Sequence, residues 1–255
     1  MVSSNVPMRT DRQIRSTGNS MENQEQAFKR LHPIFEDGGD GIRKQFILAG
    51  LLLTIFECFK TYVVAQVDGF FSNHMEVVDG QIKVTRGEEF KKLIKERGKG
   101  QPGEHGNKVF RAAIKWFGEL NAVEDWELKE VERLYNLRND VGHELFRILA
   151  DDKKNPISVV DVMLIFSVYV KIVRWWVREV EISTDPDMTP EKYDSIDFDG
   201  IESIETTILR EIMHKSLEGM PEWHEWQDWV KKHSAEEADA TGAERYPAAE
   251  LDKTL

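Results

Sequence analysis

The sequence predicts an all-α fold: a helical bundle that carries a small hairpin and basic-loop insertion and ends in a C-terminal helical extension. Three observations predict it. Two long segments, 41–71 and 156–182, are apolar on nearly every side, as helices are when neighbours cover them all round. Between them, Val131, Leu134, Val141, Leu145, Ile148 and Leu149 form one stripe on a helical wheel of about 100° per residue. Finally, two short β-prone runs flank Asp79-Gly80, a signal for a small hairpin.

Met1 to about Gln24 is rich in Ser, Asn, Arg and Gln with little to bury, which predicts a disordered tail over 1–25. The bundle is expected over 26–182. Its first long helix, 41–71, contains an apolar run that stops at Thr54. Glu57 and Lys60 interrupt the rest of the helix, so it falls short of the roughly 18 uninterrupted residues of a spanning helix and is read as a core helix. Glu76 to Val84 forms the hairpin, and Glu88 to Arg97 a short charged helix. A loop with Gly98, Gly100, Gly103 and Gly106 comes next. It contains a formal G-x-G-x-x-G match, but a charged helix stands where a dinucleotide site needs a buried strand.

Helices are expected over 108–120 and about 123–150, the second able to bend at Gly142. Asn155-Pro156 offers a cap and a first-turn proline for the helix that ends in Trp175-Trp176 and Ile182. Residues 183–233 then comprise an acidic linker, a helix over 201–217 and a short final helix striped with Trp223, Trp226 and Trp229. That stripe is expected to dock on the bundle or a partner. The acidic stretch 234–255 is expected to be disordered.

The chain has 255 residues, 40 % of them hydrophobic and 31 % charged, enough for a substantial core. Its net charge of −12 argues against a general nucleic-acid coat protein. The charge is uneven, however. Residues 185–205 carry a local −7 and 234–255 a local −4, which leaves the remainder near neutral and open to a bound RNA. The most basic segment, 86–108, holds seven bases against four acids. Cys58 is the single cysteine, so no intramolecular disulfide can form, and its apolar neighbours suggest a small buried hydrophobe. The first 25 residues lack the apolar core of a signal peptide, which points to a cytoplasmic protein.

Metal chemistry finds little support, since the histidines are scattered and no H-E-x-x-H occurs. Asp197-Phe198-Asp199-Gly200 echoes a calcium loop, but the register puts Thr206 where a bidentate glutamate belongs. No cofactor is expected. The informative stretch is Arg138-Asn139-Asp140-Val141-Gly142-His143. Arg138 falls near the middle of the apolar stripe, where a guanidinium is costly without an anionic partner. Asn139 and His143, four residues apart, share a face just outside it.

A permanent cation, an amide and an imidazole within two turns suit phosphate chemistry. Metal-independent RNA cleavage needs a base for the 2′-hydroxyl proton, an acid for the leaving 5′-oxygen and a cation for the charge on phosphorus. Histidine can fill either proton-transfer role and arginine forks onto two phosphate oxygens. One histidine cannot easily do both jobs at once. Two copies meeting across a symmetric dimer can.

At this point the chain resembles the HEPN superfamily. Its R-x4-6-H signature is matched by Arg138 and His143, with Asn139 directly after the arginine. The order of helices resembles the family's over roughly 26–182, with the hairpin and basic loop as insertions and 183–255 left unexplained. The resemblance implies a homodimer with both motifs at its interface, metal-independent endoribonuclease activity leaving 2′,3′-cyclic phosphate, and service as a toxin or antiphage, abortive-infection effector. An antitoxin or defence-system protein is then an expected partner. In this reading Arg138 holds the scissile phosphate, His143 is general acid or base, Asn139 orients substrate or histidine, and Asp140 is a weaker candidate. Lys91, Lys92, Lys95, Arg97 and Lys99 would contact the RNA backbone. The alternative is a non-catalytic helical interaction module, in which Arg138 meets a carboxylate and the tryptophan stripe and acidic linker bind a protein partner.

Overall fold

The computed structural model describes His32 and residues 39–71, 74–79, 81–85, 87–98, 108–150 and 156–228. The expectations for the N-terminal and C-terminal tails, for Lys99, for Trp229 and for most of the glycine loop lie outside these residues. The fold is all-α, with one two-stranded hairpin. In chain order it comprises α1 (Asp40–Phe71), β1 (His74–Val78), β2 (Gln81–Thr85), α2 (Glu88–Arg97), α3 (Lys108–Glu119) and α4 (Asp125–Ala150). There follow α5 (Val159–Trp176), a π-helical turn over Val177–Ile182 that continues it, α6 (Pro190–Asp194), α7 (Ile204–Leu217) and a last helix, α8, over 221–228.

The central element is α1, which packs against α3, α4 and α5 and touches α2 and α7. Its all-round apolar character follows from that position: Leu48, Leu52, Ile55, Phe56, Phe59 and Val63 are fully buried. Among the described residues it is the one helix long and apolar enough to cross a membrane, and 44 % of its most apolar window is buried inside the protein. Phe56 and Phe59 meet Phe110 of α3 edge-on, at 5.7 and 5.8 Å between ring centres. Phe110 in turn stacks on Tyr135 of α4, and Phe59 meets Tyr169 of α5. These rings join four helices in one core, with the offset and edge-to-face geometries that aromatic quadrupoles favour.

Buried polar groups are placed where they connect elements. Gln45 donates Nε2 to the Ile157 carbonyl and accepts from the Ile157 amide, both at 3.1 Å, which ties α1 to the entry of α5. Arg111 is 3 % exposed, pairs with Glu132 at 2.7 Å and lies over the Tyr135 ring. Both arrangements satisfy groups that would be expensive to bury alone.

Local signals explain the boundaries. The hairpin is antiparallel, with Val78 opposite Gln81, and Asp79 takes the left-handed φ of 52° that a two-residue turn needs. The glycine after α2 has a packing role. A side chain at Gly98 would come within 2.6 Å of the Ile94 and Lys108 carbonyl oxygens, so the close approach of α2 and α3 requires glycine there. Helix α4 runs unbroken through Gly142, so the expected bend there does not interrupt it. Val131, Leu134, Val141 and Ile148 of the expected stripe are buried and Leu145 partly so.

One expected start moves. Asn155-Pro156 does not open α5; Ser158 is its N-cap, with Ser158 Oγ accepting from the Asp161 amide and the Asp161 carboxylate accepting from the Ser158 amide. This reciprocal box satisfies two orphan donors at once, and Arg133 fixes the Asp161 carboxylate at 2.7 Å. The linker is not featureless either, since Thr189 and Pro190 start the short α6. The C-terminal extension shares the bundle's core: Leu209, Met213 and Leu217 of α7 and Trp223 of α8 are buried with it. Tyr169 donates its hydroxyl to Glu205 at 2.7 Å, and Lys44 of α1 pairs with Glu222. Trp223 thus docks on the bundle as expected, and Trp226 is packed partly against the core.

Candidate functional site

Arg138 projects from α4 toward α1, where its guanidinium pairs with the carboxylate of Glu57. Its Nη1 donates to Asn139 Oδ1 at 2.9 Å, while the buried Nε has no acceptor among the described residues. Glu57 also holds Lys60 Nζ at 2.8 Å, one turn along α1. Two cations therefore share one carboxylate. Burial pushes the Glu57 carboxyl up, but Lys60 and Arg138 together outweigh it and hold the group below its usual range. The side chain of Arg138 is 26 % exposed, although its Nε is buried.

His143 lies one turn beyond Asn139 on the same helix and is exposed. Gly142 before it is also exposed, and a side chain there would only touch Leu53 at 4.0 Å. Asn139 and Asp140 are partly buried. Four residues predicted as a site thus share two turns of α4, with Arg138 anchored on Glu57 and His143 exposed.

The basic residues divide. Lys91 pairs with Glu88 at 2.6 Å and Arg97 is gripped by Glu119 at 2.7 Å, so neither is an uncommitted cation. The Arg97–Glu119 contact depresses the Glu119 carboxyl and raises the guanidinium, chiefly by hydrogen bonding. Lys92 and Lys95 are exposed and form no ion pair among the described residues. The α2 surface therefore offers fewer free charges than its composition suggests.

Cys58 follows Glu57 on α1 and is partly buried. Burial, with Glu205 nearby, pushes its thiol up to about 11, which keeps it protonated and unreactive near neutrality. Among the described residues no three of His, Cys, Asp and Glu gather as a metal-holding group. Asp197 accepts from the Gly200 amide at 3.1 Å, making the Asp197–Gly200 stretch a self-bonded turn.

The residue missed at sequence level is Glu57. Its signal was present, a carboxylate inside an apolar helix, but its partner lies on another element. Comparison with known proteins brings no match: no family model, no curated protein and no solved structure is similar to the chain.

Proposed function

We propose that the protein is a metal-independent endoribonuclease of HEPN type, acting as a toxin or antiphage effector through a composite site at a homodimer interface. The observation that carries this reading is the exposed His143 one turn from an Arg138–Asn139 pair whose guanidinium is anchored on Glu57 in a partly exposed side chain. Arg138 neutralises charge building on the scissile phosphate. One His143 takes the 2′-hydroxyl proton as the oxygen attacks phosphorus, closing a 2′,3′-cyclic phosphate. The partner subunit's His143 gives a proton to the departing 5′-oxygen. Asn139 fixes the guanidinium, and Lys92 and Lys95 are the basic residues best placed to attract RNA backbone. The protein is read as cytoplasmic, with α1 as a core helix.

The test is cleavage of total RNA in EDTA by the wild-type chain and by His143→Ala at matched folding. Cleavage by the wild type alone, with 2′,3′-cyclic phosphate ends, is the expected result. Equal cleavage by both proteins would remove His143 from the site.

A specific observation favours a second reading. Arg138 already has a carboxylate partner in Glu57, which is what a structural ion pair between α1 and α4 would look like. In that case the chain is a helical interaction module, and neither protein cleaves.

A further inference from the structure

An unfilled space lies away from Arg138, where the C-terminal extension meets α5. Between two parts that otherwise share one core, an open cleft of about 600 Å³ remains, within the range of roughly 300–1,000 Å³ that holds small ligands.

Its walls are unusual for a chain of net charge −12. Lys171, Arg174, Arg178 and Arg210 all line it, against the single carboxylate of Asp199. The first three recur at i, i+3 and i+7 and so share one face of an otherwise apolar helix. Three of these four cations already hold carboxylates. Lys171 pairs with the buried Glu127, Arg178 with its neighbour Glu179, and Arg210 with Glu202. Arg174 donates Nε to the Ile201 carbonyl at 3.2 Å and has no carboxylate partner among the described residues. An uncompensated guanidinium beside an apolar wall is a place for an anion.

Aromatic rings supply that wall. Trp175 stands edge-on to Phe117 and Trp223 edge-on to His214. Phe198, braced by Tyr193 at 5.0 Å, closes the space from the linker. Indole and phenyl rings next to guanidinium groups suit a flat ring by stacking and its charged substituent by forked hydrogen bonds.

We propose that this cavity is a binding site for a small aromatic anion, a flat ring carrying a phosphate or carboxylate. It is distinct from the Arg138–His143 surface. Lys171's partner Glu127 and His143 are separated by about 24 Å of rise along α4. The proposal does not depend on the ribonuclease reading.

Titration calorimetry on the full chain tests it with GMP and indole-3-acetate, which supply the two anionic groups. At least one should bind with 1:1 stoichiometry, and which one does identifies the charged group. The matching neutral ring, guanosine or indole, should bind at least about tenfold more weakly, as should the Arg174→Gln protein. Failure of both probes at millimolar concentration, equal binding of the neutral ring, or unchanged affinity in Arg174→Gln would each overturn the proposal. Should Arg174→Gln melt well below wild type, Phe198→Ala carries the same comparison, with a tenfold loss expected and no loss decisive against it.

Discussion

Arg138 illustrates how a single side chain can be legible as an anomaly and illegible as a contact. Its place amid Val131, Leu134, Val141 and Ile148 follows from helical period alone. Its partner does not, because Glu57 and Arg138 meet only when α1 and α4 pack. Since Lys60 remains beside Glu57, Arg138→Ala should leave no orphaned buried charge. The expected loss is about 1 kcal/mol or less for a partly exposed pair, lowering Tm by no more than about 2–4 °C. The pH dependence has a definite sign. A carboxyl held below its ordinary value adds stability above that value and loses it as pH falls through the lowered one. Melting curves of wild type and Arg138→Ala should therefore differ near neutrality and converge in strong acid. A gap of many degrees would make Arg138 chiefly structural and weaken its case as a phosphate ligand.

Among the elements, those with a strong local code were readable and those set by competing codes were not. The hairpin and the charged α2 stand as expected, as do Val131, Leu134, Val141, Leu145 and Ile148 of the α4 stripe; the side chain of Leu149 lies outside the described residues. The start of α5 went instead to Ser158, because a serine and an aspartate three residues apart cap each other, whereas Asn155-Pro156 offers only one-way capping. The same junction holds a sharper prediction. Gln45 satisfies both backbone groups of Ile157 in a buried place, so Gln45→Ala leaves a donor and an acceptor without protein partners. A loss of about 1–3 kcal/mol is expected, read as a lower urea midpoint at unchanged slope. A midpoint within error of wild type would mean that water replaces the glutamine there.

At the scale of the whole molecule, the sequence suggested a bundle followed by an extension, but composition could not reveal that the two share a core. The acidic linker looks like a boundary because it is polar and contains Pro186 and Pro190. The helices beyond it bury Leu209, Met213, Leu217 and Trp223 against the bundle. The cavity was equally hidden, since its walls come from the α3–α4 loop, α5, the linker, α7 and α8. A chain truncated after Ser183 would uncover the side of α5 around Phe166 and Tyr169. It should melt well below the full chain and bind an apolar-surface dye, as proteins with exposed cores do. Equal melting temperatures would show that the extension is an independent appendage.

The glutamine clasp also bears on time. Gln45 and Ile157 are 112 residues apart, so their bond closes a long loop whose entropy must be lost before the contact repays it. Such a contact is expected to form late on the folding route. Its removal should then leave the refolding rate nearly unchanged and appear as faster unfolding. On this view Gln45 is less a builder of the bundle than a latch on its opening, and it sets how long the native state persists.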